Sequence, residues 1–216
     1  MAELYNFNFE YADILAFATA SSWGGAGSPA ISSTYAHGGS KSLYINDGGY
    51  VNTYISSPVI NTPEIYGSLW IYLINYPPYG DRDVLSGTCE AGPGFEFRIN
   101  TSGYINMYIN YTFIGSTATA ISLNTWTNLK FHIRFSDTNS IYEIKIGTET
   151  YNSTAYTRGP TGNNIWSCIL GEQPSGPTVE CYIDDFILDD SQYPSGITGP
   201  TIYDIYSVGL NKIVFH

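Results

Sequence analysis

Trp126 to Phe135 reads WTNLKFHIRF, with Leu129, Phe131, Ile133 and Phe135 on one side of an extended chain and Lys130, His132 and Arg134 on the other. Side chains alternate across a β-strand with a period of two, so this stretch is a half-buried strand with one face on a core and one in water. The pattern recurs outward from it. GFEFRI sets Phe95, Phe97 and Ile99 against Glu96 and Arg98, and GYINMYIN sets Ile105, Met107 and Ile109 against Tyr104, Asn106, Tyr108 and Asn110. In YGSLWIYLI both sides are apolar, Leu69, Ile71 and Leu73 against Trp70, Tyr72 and Ile74, as in a central or covered strand. Between such runs lie GTCEAGPG, SDTNS, TRGPTGNN and GEQPSGP, whose Gly, Pro, Asn and Asp supply the backbone angles of turns. Roughly ten or more strands follow, with no repeat period of a propeller or solenoid.

The bulk composition agrees. In 216 residues there are 22 Gly and 20 Tyr but only 12% charged residues, and long Leu/Ala/Glu/Lys stretches are missing, so strands and turns rather than helices are expected. The length suits one large all-β domain. The net charge of -11, from 19 acidic against 8 basic residues, argues against nucleic acid, which needs clustered Lys and Arg. No apolar run approaches the roughly 20 residues of a membrane span. MAELYNFNFE lacks the basic and apolar regions of a signal peptide, so a chain starting natively at Met1 is expected to be made in a cytoplasm. Cys89, Cys168 and Cys181 form no CxxC pair and are odd in number, which points to buried free thiols rather than a disulfide framework or a zinc site.

The two ends of the chain carry a second signal. NFNFEYADILAFATASSW (Asn6 to Trp23), running on to HGGSKSLYI (His37 to Ile45), and CYIDDFILDD (Cys181 to Asp190) resemble the opening and closing strands of the concanavalin A-like lectin and glucanase superfamily. There a Phe-Glu near the start and an Ile-Asp-Asp near the end lie side by side. The resemblance implies an antiparallel jelly-roll β-sandwich over residues 1–190. It also implies a structural calcium among Glu10, the Ser40–Lys41 loop and Asp184 or Asp185, since calcium takes several carboxylate and carbonyl oxygens. Strict alternation puts Asp184 on a face with Tyr182 and Phe186, and Asp185 on one with Ile183 and Ile187, so at least one carboxylate meets apolar neighbours and needs a partner. Calcium is one remedy; backbone amides or Lys41 are the other.

The Tyr104, Asn106, Tyr108 and Asn110 face has the residue types that bind sugars, rings for C–H faces and amides for hydroxyls. On a concave sheet it would form a glycan platform, helped by Trp70 and Tyr72, with His132 or Arg134 as further aids. The same face also suits any exposed, low-charge strand, because Tyr favours strands and tolerates water at its hydroxyl. Catalysis has little foothold. The Glu-X-Asp-X-X-Glu strand of the sandwich glucanases does not occur; a retaining pair could come from separate strands, with Glu96, Glu143 and Glu180 available, but Glu96 and Glu143 alternate with Arg98 and Lys145 as on solvated, charge-balanced faces. His37, His132 and His216 adjoin no nucleophile motif. A glycoside hydrolase or lyase is therefore the minor reading.

After Asp190 the texture changes to a Pro/Gly linker, residues 191–200, and then to the apolar, charge-poor TIYDIYSVGLNKIVFH. This C-terminal extension, residues 201–216, is expected to be an extra strand or an interaction arm, with Ile202, Tyr203, Ile205, Tyr206, Val208, Leu210, Ile213 and Phe215 as its assembly residues. Free-standing jelly rolls of this kind occur among bacteriophage virion proteins. The leading expectation is a non-catalytic capsid-decoration, cement or fibre protein on a virion surface, bound to other virion subunits or to itself as a homo-oligomer such as a trimer, and able to bind polysaccharide. The alternative is a stand-alone, extracellular carbohydrate-binding module.

Overall fold

Strands in the computed structural model follow in the order β1 (Glu3–Phe7), β2 (Gly24–Ala26), β3 (Ala30–Ser32), β4 (Ser42–Ile45), β5 (Thr53–Ser56), β6 (Glu64–Leu73), β7 (Arg82–Cys89), β8 (Gly92–Ile99), β9 (Tyr104–Ile109), β10 (Thr112–Ala120), β11 (Trp126–Arg134), β12 (Ile141–Ile146), β13 (Glu149–Ser153), β14 (Ile165–Glu172) and β15 (Cys181–Asp189). One helix, α1 (Ile14–Ser21), lies between β1 and β2. The structure describes residues 3–26, 29–46, 53–57, 59–89, 92–136, 138–153, 164–172 and 179–194. The assembly residues Ile202 to Phe215 and most of the linker lie outside them.

Two antiparallel sheets form the sandwich. An eight-stranded sheet runs β13-β12-β11-β6-β15-β4-β3, with β1 also on β15, and a seven-stranded sheet runs β10-β9-β8-β7-β14-β5-β2. The period-two runs place the core between them. Leu69, Ile71, Phe131 and Ile133 of one sheet and Phe97, Ile99, Ile105 and Met107 of the other are all buried. Phe131 meets Phe95 and Phe97 across the gap at ring distances of 6.3 and 5.8 Å. The three cysteines are buried thiols.

A second cluster closes one end. Phe7 packs on Phe17 and Trp23 at 5.0 and 5.4 Å, and Trp23 on Phe186 at 5.7 Å, so the opening and closing strands share one aromatic core. Truncating any one of these rings to Ala is worth about 3–5 kcal/mol. Phe17 comes from α1, an element that the expectation of strands and turns alone does not include. The helix forms because Asp13 Oδ1 accepts the Ala16 amide at 2.8 Å as an N-cap, Ser22 closes the other end with φ of 61°, and Phe17 is fully buried.

β15 departs from strict alternation. Cys181 and Ile183 face the core, as do Phe186 and Leu188, because a one-residue bulge at Asp184–Asp185 reverses the parity, with Asp185 at φ of 47°. Asp184 therefore shares the outer face with Tyr182, while Phe186 belongs to the core, which corrects the facing expected from alternation. The bulge marks a change of partner: β15 pairs with β4 over Cys181–Ile183 and with β1 over Phe186–Asp189. Beyond β15, Tyr193 folds back on the eight-stranded sheet, its hydroxyl donating to Glu143 and its ring 4.0 Å from Lys145 Nζ.

Gly67 of β6 lies directly across from Phe131, whose ring fills the space that a Cβ there would need. Gly67→Ala is expected to displace that ring and lower stability by about 1–3 kcal/mol in urea unfolding; an unchanged midpoint would show that the ring is not locked against the strand.

Candidate functional site

The outer face of the eight-stranded sheet is crossed by the segment between β3 and β4. Trp126, Tyr72, Tyr182 and Tyr44 are successive cross-strand partners on β11, β6, β15 and β4, a rank of rings across four strands. Tyr35 stacks on Tyr72 at 4.5 Å and His37 on Trp70 at 3.7 Å, so the segment lies over the rank like a strap. Carboxylates fasten it. Asp184 Oδ2 accepts the amides of His37 and Gly38 at 2.8 and 3.1 Å, and its Oδ1 accepts the Asp185 amide at 2.8 Å. Asp185 Oδ2 lies 2.7 Å from His37 Nδ1. Glu10 Oε1 accepts the amides of Ser40 and Lys41 at 2.6 and 2.8 Å, while its Oε2 accepts the Ser40 hydroxyl at 2.7 Å. Gly39, at φ of 68°, allows this approach, since a Cβ would run into the Glu10 carboxylate.

The structure thus brings Glu10, Ser40, Lys41, Asp184 and Asp185 to one strap, as the resemblance implies. Their arrangement does not fit a calcium ion. The oxygens of Glu10 and Asp184 are turned onto N–H and O–H donors whose positive ends occupy the place of a cation, and Lys41 Nζ donates to the Tyr11 carbonyl at 2.7 Å. Among the described residues no three His, Cys, Asp or Glu side chains are grouped to hold a metal. The amides, the other remedy, satisfy these carboxylates. Thermal melts in calcium and in chelator are accordingly expected to coincide; a melting temperature several degrees higher in calcium would show that the strap rearranges around a metal.

Trp70 and Tyr72 lie beneath this strap, on the opposite side of the sandwich from β9. The expected platform of Tyr104, Asn106, Tyr108 and Asn110 with Trp70 and Tyr72 is therefore divided between two faces, because β6 is in one sheet and β9 in the other. His132 and Arg134 also lie on the eight-stranded sheet, where His132 stacks on Tyr66 at 3.9 Å. Asn110 leaves the ladder too. It and Tyr111 have φ of 48° and 64° between β9 and β10, the pair of left-handed residues that a tight hairpin turn requires.

Tyr104, Asn106 and Tyr108 remain, pointing outward from the seven-stranded sheet, and they adjoin a polar floor that the sequence reading does not include. Arg98 holds two carboxylates, with Nε 2.9 Å from Asp83 Oδ1 and Nη2 2.6 Å from Glu96 Oε2, and its guanidinium lies 4.4 Å from the centre of the Tyr108 ring. The Tyr108 hydroxyl and the Asn106 amide both donate to Asp81 Oδ2, at 2.6 and 2.8 Å. Asp83 and Glu96 are only 4% and 9% exposed, so the expected solvated, charge-balanced face is instead a buried ion network. At its edge Tyr104 and Phe113 are 36% and 53% exposed. The register explains the cluster: Asp83 opposes Arg98, which opposes Asn106, and Ser86 opposes Glu96, which opposes Tyr108. DRDV and FEFR supplied the residues, but nothing in either run marks them as neighbours.

Burial sets the electrostatics of both faces. It pushes the Asp83 carboxyl from an ordinary 3.8 up to about 7, with Arg98 opposing the rise and Glu96 adding to it. Asp184 also rises to about 7, through burial and then the adjacent Asp185, against the amides that it accepts. Burial likewise raises Glu96, and burial with the Asp81 contact pushes Tyr108 up to about 12. Glu10 moves the other way, since its bonds from Ser40 and Lys41 outweigh burial and hold it below the usual range.

No protein-family model matches this sequence, and no curated protein matches it. Solved structures do match the fold. The cellulose-induced protein Cip1 superposes with a TM-score of 0.61 at 12% identity, over 78% of this chain and 88% of that one. The alginate lyase vAL-1 from Chlorella virus gives 0.61 at 10% identity, over 88% and 100%. The potassium-bound carbohydrate recognition domain of Emp46p gives 0.58 at 9% identity, over 88% and 98%. The chain has the concanavalin A-like lectin and glucanase type of β-sandwich fold.

The raised carboxyls make stability depend on pH. A carboxyl whose folded pKa exceeds its unfolded value binds its proton more tightly when folded, so its contribution is complete below the ordinary 3.8 and is lost as pH rises through about 7. The melting temperature is expected to fall between pH 5 and pH 8, and Asp83→Asn to flatten part of that fall; an unaltered slope in the variant would show that Asp83 is already ionised at pH 5.

Proposed function

We propose that the chain is a non-catalytic, lectin-like carbohydrate-binding β-sandwich whose ligand lies on the outer face of the seven-stranded sheet, over β8 and β9. The carrying observation is the fixed polar floor beside exposed rings. Arg98 is clamped between Asp83 and Glu96, Asn106 and Tyr108 are oriented by one Asp81 oxygen, and Tyr104 and Phe113 present ring surface to solvent at the edge. Sugars are held by polar groups fixed in advance and by aromatic faces, and groups already locked lose little entropy on binding. The carbohydrate recognition domain among the structural neighbours supports the same reading.

Two features favour binding over catalysis. Both buried carboxylates of the floor engage one guanidinium, which leaves neither placed as an independent acid or base. A lyase acting on a uronate must also neutralise the substrate carboxylate, and Arg98 is already committed to Asp83 and Glu96. The opposite face is less suited to a ligand, because its rings support the strap.

The test is glycan-array screening followed by calorimetry on the best ligand. Tyr104→Ala is expected to weaken binding about tenfold with an unchanged melting temperature, while Tyr108→Ala should weaken it at least as much and lower stability as well. Unchanged affinity in both variants would remove this face as the binding site.

A further inference from the structure

Resting on that reading, we infer that the face selects neutral, hydroxyl-rich sugars and rejects polyuronates and sialylated glycans. The positions of the cations set this selectivity. Of the eight Lys and Arg residues, Lys212 and Arg158 lie outside the described residues, and Lys130, Arg134 and Lys145 lie on the eight-stranded sheet, with Lys41 in the strap above it. Only Arg82 and Arg98 belong to the seven-stranded sheet, and both are engaged. Arg98 bridges Asp83 and Glu96 under the Tyr108 ring. Arg82 Nη1 donates to the Asp81 carbonyl at 2.8 Å, and its guanidinium lies over Tyr79.

A carboxylate on the sugar would therefore meet Asp81, Asp83 and Glu96 with no uncommitted cation among the described residues of this sheet, on a chain of net charge -11. Binding it would mean stripping its water and breaking an existing ion pair. Sugar hydroxyls find the reverse. They are donors, and hydrogen bonds from a hydroxyl to an ionised carboxylate are about twice as strong as neutral ones. Ser86 adds a second, independent mark of a ligand in this place. It lies beside Glu96 in the same rank, is 4% exposed, and its Oγ is buried with no hydrogen-bond partner among the described residues. A buried polar group left unpaired costs free energy, which a ligand hydroxyl at this position would recover.

The experiment is affinity electrophoresis of the full chain in gels containing mannan, galactan or β-glucan on one side and alginate or polygalacturonate on the other, at low and high salt, with Tyr104→Ala run alongside. Retardation by at least one neutral polymer, absent in Tyr104→Ala, and none by either polyuronate is the expected result. Retardation by a polyuronate that Tyr104→Ala abolishes would overturn the selectivity and leave the binding face standing. If no polymer of either kind retards the chain, the binding reading fails and this inference fails with it.

Discussion

At the bulge in β15, the Asp184 carboxylate accepts the amides of His37 and Gly38 at the point where the strand exchanges β4 for β1 along one edge. The strap residues before β4 belong to no strand ladder, so their amides take side-chain acceptors instead. Asp184 provides one from the strand itself, while Glu10, just beyond β1, does the same for Ser40 and Lys41. Two side chains from the ends of the sequence thus complete the hydrogen bonding of the junction between β1 and β4. The aromatic cluster of Phe7, Phe17, Trp23 and Phe186 forms directly beneath. The residues that close the sandwich are thus also those that seat the strap.

That closure divides the labour between the two outer faces. On the eight-stranded sheet the ring rank is spent on holding Tyr35 and His37, so its aromatic content is structural. Among the described residues no such segment crosses β8 and β9, and there the charged side chains are organised among themselves. The network of Asp81, Asp83, Glu96, Arg98, Asn106 and Tyr108 is fixed by contacts among its own members. On the proposed reading that rigidity presents fixed polar groups and ring surface to a ligand.

Much of the fold was legible because alternation reports burial directly. The runs around Phe131, Phe97, Met107 and Ile71 all face the core as their period requires, and the opening and closing strands pair side by side, with Phe7 opposite Phe186. What alternation does not carry is the identity of a strand's neighbour. It left β6 and β9 free to be placed on one platform when they belong to opposite sheets, and it left Asp83 unconnected to Arg98. It also fails wherever one residue is inserted, as at Asp184–Asp185, because a bulge is written in backbone angles. Asn110 carried a usable signal: Asn tolerates the left-handed region, and its position between two alternating runs marks a hairpin turn.

The central claim is that ligand and strap occupy opposite faces. A ¹⁵N–¹H correlation titration of the isotopically labelled chain with a bound neutral oligosaccharide reads both faces in one experiment. Shifts are expected to concentrate at Ser86, Glu96, Arg98, Tyr104, Asn106 and Tyr108, with Tyr35 to Lys41, Trp70 and Tyr72 unmoved. Shifts confined to the strap and to Trp70 and Tyr72 would contradict it and put the binding site on the eight-stranded sheet.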